Sequence, residues 1–139
     1  MTPFRVSRRM EFVDTDMIGI VHFSNFFLFM EMAECAFLRT LGLGVMLDWE
    51  GQELGFPRVA ASCDYLSPAR FQEVIDIDVT LARIGTKSVT YAFAFSRAGQ
   101  ELAKGQVTSV CCRKQANGEF EPMEIPASYR TRLEPYLTG

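Results

Sequence analysis

The residues whose types and spacing suit chemistry lie between positions 14 and 31, Asp14-Thr-Asp-Met-Ile-Gly-Ile-Val-His-Phe-Ser-Asn-Phe-Phe-Leu-Phe-Met-Glu. There, two carboxylates and the only histidine run directly into an aromatic-rich apolar segment. A helix N-terminus presents unpaired backbone N–H groups that polarise a carbonyl oxygen, so a carboxylate beside it makes a plausible acyl-transfer site. Asp14 and Asp16 share one side of an extended chain, but Gly19 and the nearby helix cap imply a bend that leaves their separation open. The competing reading of Asp14-Thr-Asp is a solvated loop or a remote cap. His22 suits a base or a ligand, although a single histidine between Val21 and Phe23 is more often a partly buried, satisfied side chain. Glu31 suits the orientation of a substrate or of Asp16, and equally suits the dipole of a helix on whose first turns it sits. Phe23, Phe26, Phe27 and Met30 are core by default, and a helix meeting a ligand on one side would look the same.

What must position these groups is a strand followed by a long helix. Phe4, Val6, Met10 and Phe12 fall on one side of an extended segment over residues 4 to 13. Ser24 or Asn25 then caps a helix in which Phe26, Met30, Ala33, Phe37 and Leu41 recur at steps of three and four, with Glu31, Glu34 and Arg39 between them. Gly42 or Gly44 ends it. Phe27, Leu28 and Phe29 fill its other faces, so the helix should be covered on most sides. A short helical piece is expected over 45 to 50, then strands near 58 to 65, from 71 to about 82, from 88 to 96, and from 101 to 113. Ser67-Pro68, Gly85, Ala98-Gly99 and Asn117-Gly118 punctuate them. Ala92, Ala94, Ala103 and Gly105 would pave a sheet face that a bulky helix can approach closely. Ile125-Pro126 opens a short terminal helix that stops near Pro135. One helix followed by a meander of antiparallel strands is an α+β arrangement, in which a long central helix packs against a curled antiparallel sheet.

A chain of 139 residues holds a single domain, 1 to 139, with a real core. The net charge of −3 gives no general attraction to nucleic acid or to anionic lipid, and no apolar run approaches the roughly 20 residues needed to cross a bilayer. The first residues carry no signal-peptide apolar region, so a cytoplasmic location is expected. Cys35, Cys63, Cys111 and Cys112 lack zinc-ligand spacing and read as small apolar filler, so no metal is expected.

The run from Asp16 through Gly19-Ile-Val and Asn25 to Glu31 resembles the signature of the 4-hydroxybenzoyl-CoA thioesterase family of hotdog-fold acyl-CoA hydrolases. Asp64-Tyr-Leu-Ser-Pro68-Ala-Arg-Phe, Lys87-Ser88-Val-Thr and Ile125-Pro-Ala-Ser-Tyr129 resemble later segments of that family, so the likeness spans essentially the whole chain. The chain has His22-Phe23 where many relatives have a Tyr-His pair, and Phe26 where Tyr usually follows the asparagine. The resemblance implies a hotdog fold in which the sheet wraps the helix, with active sites formed across a two-subunit interface. The minimal unit is then a homodimer, and a homotetramer is the expected assembly. It implies an acyl-CoA substrate, Asp16 as nucleophile or general base, and the backbone N–H of Phe23 as donor to the thioester oxygen. His22, Glu31 and Phe26 fall on the substrate side, and Lys87 and Ser88 match a basic, polar turn that meets the CoA phosphates. Coenzyme A is part of the substrate, so no separate cofactor is implied. Two rivals share the pocket: a hydratase or dehydratase pairing Asp16 with His22, and a non-catalytic module that binds acyl-CoA or an acyl carrier protein.

Overall fold

The computed structural model describes residues 2–138, and its elements follow the hydrophobic periods of the sequence closely. In β5 (Val74–Ile84) and β6 (Ser88–Arg97) the inward residues are Ile75, Ile77, Val79 and Leu81 on one strand and Val89, Tyr91, Phe93 and Phe95 on the other. Every one of these is buried, and the alternate residues point to solvent, as period-two patterning requires. With β1 (Phe4–Arg9), β4 (Arg58–Tyr65) and β7 (Gln100–Val110) they form a five-stranded antiparallel sheet in the order β1-β5-β6-β7-β4. Helix α1 (Asn25–Thr40) lays Phe26, Phe29, Met30, Ala33, Phe37 and Leu38 onto this sheet. Gly105 is what lets it lie close, because a Cβ there would collide with the side chain of Met30 and come within 3.1 Å of the Ser62 carbonyl oxygen.

The α+β class and the antiparallel sheet agree with the sequence pattern, but several details differ. β1 stops at Arg9, and Phe12 lies in a 3-10 turn over Phe12–Asp14 with 77% of its surface exposed, rather than inward beside Val6. Residues 46 to 55 form a hairpin of β2 (Met46–Trp49) and β3 (Gln52–Gly55), not a helical piece. Glu50 and Gly51 take φ of 49° and 83°, the doubly left-handed turn that matches the twist of two-residue hairpins. The expected strand over 101 to 113 divides at Cys111, and β8 (Cys112–Lys114) joins β2, β3 and β9 (Phe120–Pro122) in a second, four-stranded sheet. β5 begins at Val74 and not at Phe71, because Gln72 turns the chain at φ 72°. Only half of the small-residue surface faces the helix. Ala103 and Gly105 do, whereas Ala92 and Ala94 alternate outward with Thr90 and Ser96.

Helix α1 is not covered on all sides within one chain: Leu28 is 62% exposed and Glu31 is exposed. Glu34, expected among the outward polar residues, is instead 1% exposed and paired at 2.5 Å with Arg58 at the start of β4. Burial pushes its carboxyl above the usual range, and Arg58 offsets this only in part. β4 is one of the sheet's two edges, and seven of its eight residues are exposed, Cys63 being half-buried. The C-terminal helix α2 (Ala127–Leu133) begins after Pro126 and closes the core with Tyr129 and Leu133.

Candidate active site

Asp14 and Asp16, two residues apart, have opposite surroundings. Asp14 is buried, and its Oδ2 accepts from Arg8 Nη1 and from the Glu11 amide, both at 2.8 Å. Its carbonyl oxygen accepts from the His22 amide at 2.9 Å and from Asn25 Nδ2 at 2.8 Å. Asp14 therefore ties the end of β1 to the start of α1, and neither Ser24 nor Asn25 caps the helix with its side chain. The Ser24 hydroxyl bonds His22 Nδ1 at 2.8 Å instead.

Asp16 closes a tight reversal. Its amide donates to Ile20 O, its carbonyl accepts from Gly19, and Gly19 sits at φ 92°, where a side chain would be strained. Oδ1 of Asp16 accepts from the Ile18 amide at 2.9 Å and the Ile20 amide at 3.4 Å. Oδ2 has no hydrogen-bond partner among the described residues. One oxygen thus fixes the side chain and leaves the other available.

The amide of Phe23 likewise has no acceptor among the described residues, while its neighbours at 22, 24, 25 and 26 all donate. Asp16 and Phe23 both line a cavity of about 430 Å³, with Ile20, Phe26, Tyr65 and Pro68 among its other walls. Phe26 forms an aromatic floor, its ring edge-on to Tyr65 at 5.3 Å and to Phe95 at 5.1 Å. A free carboxylate oxygen, a free amide donor and an apolar slot are what addition to an acyl carbon needs: an acceptor for a proton, a dipole for the growing oxyanion, and exclusion of water.

The structure brings Asp16, Phe23 and Phe26 together around one cavity, with His22 adjoining it. The His22 ring stacks on that of Phe23 at 4.8 Å, and its Nδ1 also lies 3.3 Å from the Ser24 amide. Glu31 does not line the cavity but lies near Glu34 and Arg58 farther along α1. Lys87 lies in the turn joining β5 and β6 and Ser88 opens β6, at the end of the sheet away from the site. Tyr65 at the site is in register, through Ala103 and Phe95, with Ile77, and seven residues of β5 separate Ile77 from that turn, about 23 Å at 3.3 Å per residue. Among the described residues, no group of three His, Cys, Asp or Glu side chains could hold a metal ion, and no helix is long and apolar enough to cross a membrane.

Tyr65 is the site residue that the sequence pattern did not single out. Its hydroxyl donates to the Phe23 carbonyl at 2.8 Å, joining the edge strand to the helix entrance. No local signal marks this contact, which spans 42 positions and depends on how β4 lies over α1.

Residues 10–133 match the thioesterase-like superfamily. An acyl-CoA thioesterase of Haemophilus influenzae is 24% identical over 85% of this chain and 85% of its own length, and a 1,4-dihydroxy-2-naphthoyl-CoA hydrolase of Synechocystis is 26% identical over 96% of each. Among solved structures, a gentisyl-coenzyme A thioesterase superposes with a TM-score of 0.79 at 28% identity, covering 94% of this chain and 99% of that one. A hypothetical protein of Aquifex aeolicus superposes with a TM-score of 0.81 at 26% identity, over 94% and 99% of the two chains.

Proposed function

Since the chain belongs to the thioesterase-like superfamily, with its hotdog-like fold, we propose that it is an acyl-CoA thioesterase that hydrolyses the thioester of a small aryl- or acyl-CoA. The observation that supports this reading is that Asp16, which has one uncommitted carboxylate oxygen, and Phe23, whose amide is unpartnered among the described residues, both line one apolar cavity. The names of the relatives support the chemistry, since they act on acyl-CoA, dihydroxynaphthoyl-CoA and gentisyl-CoA. The narrower likeness to 4-hydroxybenzoyl-CoA thioesterases rests on the run from Asp16 to Glu31.

In this mechanism the acyl group enters the slot over Phe26 and its carbonyl oxygen takes the Phe23 N–H. Asp16 Oδ2 then removes a proton from a water whose oxygen bonds to the carbonyl carbon. As the tetrahedral species collapses, the carbon–sulfur bond breaks and the CoA thiolate leaves, taking up the proton. If Asp16 attacks directly, the same oxygen forms an anhydride that water then opens. A thioester is reactive enough that neither route needs a metal or a cofactor.

We read the working unit as a homodimer, with a homotetramer as its further assembly. The open edge of β4 and the exposed Leu28 and Glu31 support this. Antiparallel pairing of two β4 edges would bring the Arg58 end of one copy, with its 87–88 turn, to the Tyr65 end of the other. Lys87 and Ser88 would then meet the CoA bound beside another copy's Asp16. Acyl-CoA is a cytoplasmic metabolite, which is where we place the activity.

The test is release of free thiol from a panel of aliphatic and aromatic acyl-CoAs by the parent and by Asp16→Asn. The reading expects cleavage of at least one substrate class and a loss of at least about 100-fold in the variant, the usual range for a general base. Binding without thiol release by the parent would sink it and leave an acyl-CoA-binding module.

A further inference from the structure

We propose that Tyr65 is a positioning residue for the hydrolysis read above: its hydroxyl holds the turn that carries the Phe23 amide in the orientation that receives the oxyanion. This role rests on that thioesterase reading and deepens the same site.

The turn from His22 to Asn25 is poorly fixed by its own backbone. Ser24 occupies the cap position without capping, and the bonds that start the helix are of the short i to i−3 kind. The one backbone bond to the Phe23 carbonyl, from the Phe26 amide, is 3.4 Å long, too long to fix an angle well. Tyr65 supplies the shorter restraint at 2.8 Å, from the end of a sheet strand rather than from the helix itself. Its ring is set in turn edge-on against Phe26 and Phe23, with centroids at 5.3 and 6.4 Å. Local desolvation, and then the neighbouring Cys63, push the phenol up to about 12 although 45% of the residue stays exposed, so the hydroxyl remains a donor near neutral pH. The carbonyl that Tyr65 holds belongs to the same residue as the free N–H. The two lie in neighbouring peptide planes joined through the φ and ψ of Phe23, so slack in the held plane is passed to the N–H, and an oxyanion donor acts only when aimed at where the charge develops.

Tyr65 does not itself touch the reacting atoms in this account, and so its effect should fall on kcat. Tyr65→Phe keeps the ring and deletes only the hydroxyl. The expected result is a kcat about 10-fold lower with KM for acyl-CoA within twofold, because small misplacements of a catalytic group are costly. A trifluoromethyl ketone analogue, whose hydrate mimics the oxyanion, should bind about 10-fold more weakly, while a thioether analogue should bind within twofold of the parent. A kcat within twofold, or parallel losses in kcat, KM and thioether affinity, would overturn the proposal. Amide hydrogen exchange decides the case separately from activity: exchange at Phe26 and Phe27 should be several-fold faster in Tyr65→Phe, and unchanged exchange would overturn it. A parent that cleaves no thioester would sink the proposed hydrolysis while leaving this exchange comparison intact.

Discussion

Asp14 and Asp16 should separate stability from chemistry when each is replaced. Asp14→Ala removes an acceptor that is 6% exposed and engaged by Arg8 and the Glu11 amide. Losing a charge-assisted bond of this kind costs about 2–3 kcal/mol, tempered here because Arg8 keeps 30% of its side chain in water and still lies 4.5 Å over the Phe29 ring. At about 3 °C per kcal/mol for a domain of this size, melting should fall by roughly 6–9 °C. The fraction that remains folded should still hydrolyse its substrate within a few-fold of the parent, since the Asp14 carbonyl that holds His22 and Asn25 is untouched. Asp16→Asn should do the reverse. Asparagine keeps an oxygen for the Ile18 and Ile20 amides, so stability should move by less than about 0.5 kcal/mol, whereas kcat loses about 2.7 kcal/mol or more of transition-state stabilisation. Thermal unfolding by circular dichroism and thiol release on the same preparations make the comparison. A folded Asp14→Ala that is dead, beside an Asp16→Asn that turns over like the parent, would refute the assignment of roles.

Other replacements probe the supports of the site. Arg58→Ala strands Glu34, whose side chain is 2% exposed, and should cost about 3 kcal/mol near neutral pH. A carboxyl raised in the folded state is tolerated below its ordinary value near 4.5 and penalised as pH rises through the folded value, so the loss should shrink toward acid in denaturant titrations from pH 7 to pH 5. Gly105→Ala drives a Cβ into Met30, and chemical unfolding should show about 1–2 kcal/mol of destabilisation after the backbone gain of alanine is counted. Asn25→Ala loses the 2.8 Å bond to the Asp14 carbonyl and should lower both stability, by about 1 kcal/mol, and kcat, by several-fold, in the same two assays. Treatment with a chelator should leave thiol release unchanged.

The parts of this structure written in the sequence are those with a period. Alternation in β5 and β6, and the three-and-four spacing along α1, each dictate a buried face before any neighbour is known, and the described residues put those side chains inside. What resists reading is set by partners distant in the chain. Glu34 looks like a solvent residue until Arg58, 24 positions on, lies over it. Ala92 and Gly105 look alike as small residues; alternation with Tyr91 and Phe93 turns Ala92 away from the helix, and the register that sets Gly105 opposite Phe93 turns Gly105 toward it. Glu50-Gly51 carried a usable hairpin signal, but a four-residue strand is too short for its alternation to compete with a helical reading.

The same distinction explains how the site is held. Asp16 is fixed locally, by amides two and four residues on, so its type and its neighbours suffice to propose it. The turn that carries the Phe23 amide is held from outside, by the Asp14 carbonyl through His22 and Asn25, and by Tyr65 through the Phe23 carbonyl. Those anchors come from the 3-10 turn that follows β1 and from the end of β4, and β1 and β4 are the two edges of the five-stranded sheet. On the proposed mechanism, the Phe23 amide therefore takes its direction only when that turn and the end of β4 are both in place. A loosened sheet edge should accordingly cost hydrolysis before it costs the helix: mild denaturant should lower kcat ahead of the helical circular dichroism signal. Coincident loss of the two would mean that the turn is fixed by the helix alone.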